Sequence, residues 1–323
     1  MNPEISVILP VYNGGKYLKE SIDSILNQTF NNYELIIVND GSTDESLDII
    51  ISYKDERIKL INQKNTGLSK ALNNGIKLAK GRYIARMDQD DISNPERFEK
   101  QIEFLESYSD YVVVGTWANY ISKDGEFLYT SKIPYKSEDL KKGLPYICPF
   151  VHSSVMMRAD ALKKVGGYKD VGRYFYQEDI LLWIDLSRIG KFYNLPEALQ
   201  TYRILPSSAS RMSKTNHKYQ QNIYIKYYNT GVLDFNMIKA IESNWFEDSF
   251  NKTYSNYFLI IGKIFIEKNF NRLLSFNNLL KSLRYDFLNF KTYYNIFLLL
   301  FPRKIICKIK KLRIHNTLQG RCI

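Results

Sequence analysis

Short, continuous apolar runs alternate with amphipathic stretches along the first part of the chain. Residues 5–10 (ISVILP) and 33–39 (YELIIVN) form two such runs, and residues 17–27 between them have apolar positions at helical spacing. Runs that are apolar on both faces are typical of a parallel sheet covered by helices. The alternation continues with a helix near residues 42–54, a strand near 57–61, a helix near 69–79 and a strand at 82–88. The pattern predicts an α/β fold with a mostly parallel sheet, flanked by helices and joined by right-handed crossovers.

The composition changes beyond about residue 215, where Asn, Lys, Tyr, Phe and Ile become frequent. Apolar residues recur there at helical spacing, for example at residues 254–265. The sequence therefore predicts an α/β domain over residues 1–215 and a helical C-terminal appendage over residues 216–323. The longest apolar run, at residues 293–301, is interrupted by an asparagine and is shorter than the roughly 20 residues that span a bilayer.

Six basic residues follow this apolar run: Arg303, Lys304, Lys308, Lys310, Lys311 and Arg313. A basic segment beside aromatic and aliphatic residues suits the surface of an anionic bilayer, where each Lys or Arg contributes about 1 kcal/mol. A packing helix followed by a solvated basic tail produces the same pattern. Of these two interpretations we favour contact with a membrane surface.

The overall composition is that of a globular protein: 323 residues, 45% hydrophobic and 24% charged, with a net charge of +11. Cys148, Cys307 and Cys322 make neither a disulfide framework nor a metal knuckle, which suits a reducing compartment. The first residues, MNPEISVILPVYN, lack the basic region and long apolar run of a signal peptide, so the sequence predicts a cytoplasmic protein. No nucleic-acid partner is expected, because acidic residues cluster in the loops after the predicted strands and the basic surplus is largely C-terminal.

Three carboxylates, Asp88, Asp90 and Asp91, lie at the end of the strand that contains RYIARM. Strand ends aim side chains into a crevice, and carboxylates there can hold a divalent cation such as Mg²⁺ or Mn²⁺. Such ions are usually completed by substrate phosphates, which points to a diphosphate ligand. A solvated acidic turn that caps the helix near Pro95 is the alternative interpretation. The chain contains neither G-x-G-x-x-G nor G-x-x-x-x-G-K-[ST], so a dinucleotide fold or a P-loop NTPase is not supported.

Two further acidic positions are candidates for a site. Asp40, in the loop NDGSTD, could accept hydrogen bonds from a base or ribose, although a turn with a helix cap explains this loop equally well. Glu178 and Asp179 begin an apolar helical pattern, and adjacent carboxylates at a helix start can have separated pKa values, one of them suited to accepting a proton. An acidic first turn that satisfies the helix dipole is the commoner explanation of an isolated Glu-Asp pair.

Three segments carry a resemblance to a known family: VILPVYNGGKYLKESIDSIL, VNDGSTD and GLSKALNNGIKLAKGRYIARMDQDD, in this order and at these intervals. Over residues 4–215 the chain resembles family 2 glycosyltransferases of the GT-A fold. The form R-M-D-x-D-D, followed by SNPERFEKQ, is similar to bacterial enzymes that build capsule, exopolysaccharide or lipopolysaccharide O-chains. The resemblance implies an inverting, metal-dependent transfer from a nucleotide-diphosphate sugar, with UDP-sugars as the commonest donors, to a hydroxyl group of a glycan acceptor.

On the donor side, the resemblance implies a role for each matching residue. The nucleoside would lie against Pro10 and Tyr12, and its base would bind Asp40. The ribose and the cation would be contacted by Asp88, while Asp90 would coordinate Mg²⁺ or Mn²⁺ on the diphosphate. Asp91 would orient these neighbours or cap a helix.

On the acceptor side, Asp179 would be the catalytic base and Glu178 would support it, and in-line attack by the activated hydroxyl would invert the anomeric centre. Arg203 and Arg211 are candidates to bind the diphosphate, because a guanidinium forks onto phosphate oxygens. His152 would either contact the diphosphate or acceptor, or act as a structural donor, which is the commoner role for a histidine entering a strand such as VMM.

Acceptors in this family are often polyprenyl-diphosphate-linked glycans, which implies a peripheral location on the inner face of the cell membrane. The chain departs from the family pattern at Leu205, where many relatives carry a histidine, and at Leu72, where many carry an arginine. A catalytically inactive homologue and a sugar nucleotidyltransferase are the alternative functions. The latter would need a glycine-rich loop with a basic activating residue, and LPVYNGG is a poor version of such a loop.

Overall fold

The computed structural model describes residues 2–172, 178–206, 217–243, 250–269 and 271–301. Contacts within the chain define two compact units. The first comprises residues 1–120, 130–203 and 213–246, and the second comprises residues 121–129, 204–212 and 247–323. The boundary predicted near residue 215 stays a prediction about domain organisation, since these units follow other limits.

The strands, numbered along the chain, are β1 (Ile5–Val11), β2 (Tyr33–Asp40), β3 (Ile58–Gln63), β4 (Tyr83–Arg86), β5 (Ile92–Ser93), β6 (Tyr111–Ile121), β7 (Phe127–Ser131), β8 (Met156–Arg158) and β9 (Lys191–Arg203). The helices are α1 (Gly15–Leu26), α2 (Ser46–Ser52), α3 (Leu68–Leu78), α4 (Arg97–Ser107), α5 (Ser137–Gly143), α6 (Ala159–Val165), α7 (Glu178–Ser187), α8 (His217–Thr230), α9 (Phe235–Ser243), α10 (Phe250–Ile264), α11 (Arg272–Tyr285) and α12 (Phe290–Leu298). A single 3₁₀ turn, His152–Ser154, precedes β8.

The sheet of the first unit has the strand order β3-β2-β1-β4-β8-β6-β9-β5. Its first four strands pair in parallel, as the alternating sequence pattern predicts. The pairs β4 with β8, β6 with β8 and β5 with β9 are antiparallel. The predicted α/β architecture is therefore confirmed, with a parallel half that carries the loops of interest and an antiparallel half beside it.

Both β1 and β2 are buried along their whole length, because helices cover the two faces of the sheet. Helix α1 buries Leu18, Ile22 and Ile25 on one face. Helix α3 packs more closely still: a Cβ atom added at Gly75 would lie 2.7 Å from Ile8 Cγ2. This close packing holds α3 against β1 and β2.

Helix α2 is shorter than the predicted helix over residues 42–54, because the residues before it bind the loop after β1. The Asp44 carboxylate accepts hydrogen bonds from the backbone N–H groups of Gly15 at 3.0 Å and of Ser46 at 3.1 Å. The Ser46 hydroxyl accepts from the N–H of Gly14 at 2.9 Å. The first helical turn is thus replaced by a loop that is joined to the neighbouring strand end.

The helical part of the second unit contains α10, α11 and α12, which agrees with the helical pattern predicted for residues 254–265. Leu259, Ile266 and Leu279 form its buried apolar cluster. Among the described residues, no helix is both long and apolar enough to cross a membrane.

Candidate functional site

The carboxyl ends of β1, β2 and β4 meet at one edge of the sheet, and the candidate donor-side residues follow these ends. Val11 pairs with Asn39, and Ile8 pairs with Arg86. Tyr12 and Asp40 therefore leave adjacent strands side by side. Asp88 leaves the next strand on the other side of β1. Ligands of open α/β sheets bind in this kind of crevice, so the topology brings together the positions that the sequence selected.

Asp40 lies at the end of β2 and is buried. Its Oδ1 accepts hydrogen bonds from Gln63 Nε2 at 2.7 Å and from the backbone N–H of Thr66 at 2.9 Å, while its Oδ2 accepts from the N–H of Gly67 at 2.9 Å. The carboxylate thus fixes the loop that leads into α3. Recognition of a nucleotide base by Asp40 stays a prediction.

Tyr12 follows β1 and has a 42% exposed side chain, whereas Pro10 is buried within the strand. The backbone of Tyr12 is held on both sides by Gln89, which accepts from its N–H at 2.8 Å and donates to its carbonyl at 3.1 Å. A Cβ atom at Gly14 would lie 2.4 Å from Gln89 Oε1, so a larger residue there would displace the Gln89 side chain. The loop is therefore fixed in a shape that presents the tyrosine ring to solvent.

Asp88 and Asp90 form the acidic end of the β4 segment. Asp88 makes an ion pair with the buried Arg86. Burial, together with the negative charge of Asp88, raises the pKa of Asp90 to about 7. The charges of Arg86 and Arg203 therefore only partly compensate the acidic strand end around Asp90.

Asp88 and Asp90 are the candidate ligands for a metal ion. Within the described parts of the chain, no group of three His, Cys, Asp or Glu side chains could hold a metal ion. Mg²⁺ is usually bound by one or two carboxylates and completed by water and substrate phosphates, and Mn²⁺ also prefers oxygen ligands. The incompletely compensated charge of Asp88 and Asp90 fits a cation of this kind that arrives with a diphosphate.

Asp91 is buried and belongs to the framework of the site. It accepts hydrogen bonds from the Ser153 hydroxyl and, at 2.9 Å, from the backbone N–H of Arg203. The guanidinium of Arg203 donates from Nε to the carbonyl of Asp90 at 3.1 Å, pairs with Glu20 and lies 4.5 Å from the centroid of the Tyr17 ring. These contacts hold the acidic loop in place.

The proposed contact of Arg203 with a diphosphate stays a prediction. Arg211 lies outside the described residues.

Glu178 and Asp179 begin α7 and are only 4% and 6% exposed, respectively. Both residues lie in the first turn of α7, as the helix-dipole interpretation also predicts, but they are buried. The Oδ2 atom of Asp179 accepts hydrogen bonds from the Cys148 thiol at 3.0 Å and from Trp183 Nε1 at 3.2 Å. Burial raises the pKa of Asp179, and these two donors moderate the rise because they favour the ionised form.

Glu178 lies in a more unfavourable environment for charge. Burial, and then the negative charge of Asp179, raise the pKa of Glu178 to about 8. His152 Nδ1 is 3.8 Å from Glu178 Oε1, and His152 Nε2 hydrogen-bonds to the Tyr168 hydroxyl at 2.6 Å. Burial, and then the positive charge of Arg86, hold the pKa of His152 well below its usual value. The histidine is thus a neutral ring that links Tyr168 to the carboxylate pair.

Arg86 was not among the residues that the sequence pattern selected. It pairs with Asp88, and its charge also acts on Asp90, Glu178 and Asp179, so one cation influences both acidic groups. Its Nε has no hydrogen-bond partner among the residues described. The signal for this role was its position in R-M-D-x-D-D, directly before the acidic strand end.

Cys148, Tyr168 and Trp183 were also missed as parts of the site. Trp183 could have been selected, because it lies four residues after Asp179 on the same helix. Tyr168 is held by Asn73, which accepts from its N–H at 2.9 Å and donates to its carbonyl at 2.8 Å. No spacing along the chain indicates the contacts of Cys148 or Tyr168.

Comparison with known proteins shows which family this chain is similar to. Residues 6–166 match the family model described as "Glycosyl transferase family 2". The chain is 41% identical over 220 residues to the glycosyltransferase EpsE of Bacillus subtilis, covering 66% of this chain and 77% of that protein. It is 37% identical over 213 residues to the O-antigen biosynthesis glycosyltransferase WbnJ of Escherichia coli, covering 64% and 82% of the two chains.

Solved structures confirm the predicted GT-A type of α/β fold. TarS of S. aureus, residues 1–349 in complex with UDP-GlcNAc, is similar with a TM-score of 0.58 at 18% identity, over 92% of this chain and 90% of that chain. The mannosyltransferase PcManGT of Pyrobaculum calidifontis, in complex with GDP-Man and Mn²⁺, is similar with a TM-score of 0.54 at 15% identity, over 88% and 76% of the chains.

Proposed function

The chain belongs to glycosyl transferase family 2, and from this membership we propose that this glycosyltransferase moves a sugar from a nucleotide-diphosphate donor to a hydroxyl group of a glycan acceptor with inversion. One observation carries the proposal: Asp88, at the acidic strand end, pairs with one buried arginine, Arg86, whose charge also acts on Asp90 and on the buried pair Glu178 and Asp179. A donor subsite and an acceptor subsite at these two places would share one reaction centre.

The proposed donor is a UDP-sugar. TarS, which has the same fold, was solved with UDP-GlcNAc. In this chain the exposed ring of Tyr12, with Pro10 behind it, would lie against the nucleoside, Asp40 would bind the base, and Asp88 would contact the ribose. Arg203 and Arg211 would bind the diphosphate.

We assign Asp90, with help from Asp88, to binding of Mg²⁺ or Mn²⁺. When bound, the cation would stabilise the negative charge that develops on the departing diphosphate. The two carboxylates would orient the diphosphate at the carboxyl end of β4, directly beside Arg86. PcManGT, whose fold is similar, was solved with GDP-Man and Mn²⁺.

Asp179 is the proposed catalytic base. Its carboxylate would take the proton of the acceptor hydroxyl as the oxygen forms a bond to the anomeric carbon and the bond to the diphosphate breaks. The Cys148 and Trp183 donors hold Oδ2 and so fix the orientation of the carboxylate. The raised pKa of Asp179, which follows from its burial, makes it a better proton acceptor. Glu178 supports it, with His152 as a neutral neighbour.

The acceptor is proposed to be a glycan linked to polyprenyl diphosphate, used at the inner face of the bacterial cell membrane for a surface polysaccharide. WbnJ, a relative, is named for O-antigen biosynthesis. The basic C-terminal sequence suits a peripheral position at that membrane.

Differential scanning fluorimetry of the full chain tests this function. UDP, GDP, dTDP and CMP are compared with and without Mn²⁺, on the wild type, on Asp90→Ala and on the exposed control Asp124→Ala. A nucleotide at about 100 times its Kd adds roughly 2.7 kcal/mol of stability. We expect a Mn²⁺-dependent rise in Tm with UDP that Asp124→Ala keeps and Asp90→Ala loses. No shift with any nucleotide would refute the nucleotide-sugar donor.

A further inference from the structure

Helix α11 buries mostly polar residues and exposes several large apolar ones. The residues that it buries are mostly polar: Ser275, Asn278, Leu279 and Ser282. Leu273, Phe276 and Leu280 lie on the opposite side, at helical spacing, and are 69%, 40% and 40% exposed. An amphipathic helix in a water-soluble protein normally has the reverse arrangement.

Helix α12 repeats this inversion. It buries Thr292, Asn295 and Leu298. Phe290, Tyr293 and Phe297 are again at helical spacing and are 78%, 48% and 52% exposed. The loop between the two helices adds two further exposed apolar side chains, Phe287 and Leu288. We call the six exposed side chains of the two helices (Leu273, Phe276, Leu280, Phe290, Tyr293 and Phe297) the apolar face.

The inward polar groups have partners, so the inversion is an ordered arrangement. The Ser282 hydroxyl lies 2.9 Å from Thr292 Oγ1 and 2.9 Å from the carbonyl of Ser255. The Ser275 hydroxyl donates to the carbonyl of Gly262 at 2.8 Å. The polar side of these helices is therefore satisfied, and the apolar side is the one that needs a partner.

The sequence that contains and follows the apolar face is strongly positive. Residues 271–323 contain eleven basic residues and one acidic residue, which is nearly all of the chain's net charge of +11. Arg284 and Lys291 are exposed on the same two helices. A second copy of the chain would bring an equally positive surface against this one, so self-association on this face is opposed by charge repulsion. Anionic lipid head groups complement it.

We propose that the apolar face docks on the surface of an anionic lipid bilayer, with Leu and Phe side chains at the boundary of the acyl chains and the basic residues among the head groups. Helix α11 has 14 residues and α12 has 9, so they are about 21 Å and 14 Å long and suit an interfacial position. This docking surface deepens the proposed function and rests on it, because a lipid-linked acceptor would be reached from that membrane.

Vesicle flotation with the full chain tests the docking surface. Vesicles of phosphatidylcholine alone are compared with vesicles that contain phosphatidylglycerol as well. The variant Phe290→Gln/Phe297→Gln removes two members of the apolar face. The matched control Ile51→Gln/Leu78→Gln removes two apolar side chains that are each 53% exposed on α2 and α3. A third variant, Lys308→Gln/Lys310→Gln/Lys311→Gln, lowers the charge of the C-terminal sequence.

We expect the wild type and the control to bind phosphatidylglycerol vesicles, and the phenylalanine variant to bind roughly tenfold more weakly or worse, since it removes two large apolar side chains from the boundary of the acyl chains. Wild-type binding by the phenylalanine variant, with loss only in the lysine variant, would overturn the proposal in favour of a purely electrostatic tail. A dimer in light scattering that the phenylalanine variant abolishes, without vesicle binding, would assign the face to self-association.

The UDP-dependent rise in Tm separates this inference from the proposed function. The phenylalanine variant should keep that rise in full. If the wild type responds to UDP but does not bind vesicles, the docking surface is wrong and the donor assignment stands. If it binds vesicles but responds to no nucleotide, the donor assignment is wrong and the docking surface stands.

Discussion

Glu178 should be a carboxyl group that the folded protein keeps protonated, so its replacement by glutamine should stabilise the protein increasingly as the pH rises. Burial, and then the negative charge of Asp179, raise the pKa of Glu178 from 4.5 to about 8. In the unfolded chain the group ionises near its ordinary pKa. The stability that is present below pH 4.5 is therefore lost as the pH rises towards 8. Glutamine has nearly the same shape as protonated glutamate and does not ionise.

The size of the effect follows from the two pKa values. One pKa unit corresponds to about 1.36 kcal/mol. The wild type should therefore lose roughly 3 kcal/mol by pH 7 and about 5 kcal/mol above pH 8, relative to acid solution. We expect the advantage of Glu178→Gln in free energy of unfolding to grow by about 3 kcal/mol between pH 5.5 and pH 8.5.

Urea denaturation at pH 5.5, 7.0 and 8.5 measures this advantage. The matched control is Glu103→Gln, which neutralises an exposed glutamate on α4 and should show no comparable growth with pH. An advantage of Glu178→Gln that stays constant over this range would show that Glu178 is ionised in the folded protein, and the reasoning would be refuted. A Glu178→Gln variant that is less stable than the wild type at pH 8.5 would refute the reasoning as well.

Three further predictions concern the base and the packing of the sheet. Asp179→Asn should lower kcat by at least roughly 100-fold and leave UDP binding intact; wild-type turnover would exclude Asp179 as the base. Cys148→Ala removes a hydrogen-bond donor from Asp179, which should raise the pKa of that carboxyl and move the acid limb of the pH profile of kcat to higher pH. Cys148→Ser keeps a donor and should keep the wild-type profile. Identical profiles for the two variants would contradict this role of Cys148. Gly81→Ala would place a Cβ atom 2.5 Å from the backbone nitrogen of Ser6 and should cost roughly 3 kcal/mol or more in urea denaturation. Gly143→Ala, whose Cβ atom meets only Ile147 Cβ at 3.7 Å, should change the free energy of unfolding by less than about 1 kcal/mol, and equal effects of the two glycine variants would disprove the packing argument.

The parallel half of the sheet could be predicted from local pattern, because fully buried strands must be apolar on both faces. The run at residues 33–39 became β2 (Tyr33–Asp40), and the run at 5–10 became β1 (Ile5–Val11). The start of α2 could not be predicted in this way. Its first turn competes with the hydrogen bonds that Asp44 makes to the loop after β1, and propensity says nothing about a partner 29 residues away.

The positions of the acidic residues could also be predicted, but their charge states could not. The sequence places Glu178 and Asp179 at a helix start, where a solvated turn is the ordinary outcome. Their charge states depend on Cys148, from a separate loop, whose thiol donates to Asp179, and on the charge of Arg86, from β4. The same limit applies to α11, since a pattern of apolar residues does not reveal which side of a helix faces the interior.

The charge of Arg86 helps to explain why Glu178 and Asp179 differ in protonation. Burial favours its neutral form, yet the carboxylate of Asp88 keeps the pKa of Arg86 above its ordinary value, so one positive charge faces two acidic groups. One positive charge cannot neutralise both groups, and a proton is retained where the ionised form has the weakest support. Asp179 has the Cys148 and Trp183 donors on its carboxylate, whereas Glu178 faces the neutral ring of His152. The proton is therefore expected on Glu178. Asp179 is then the ionised carboxylate that can accept a proton from an acceptor hydroxyl.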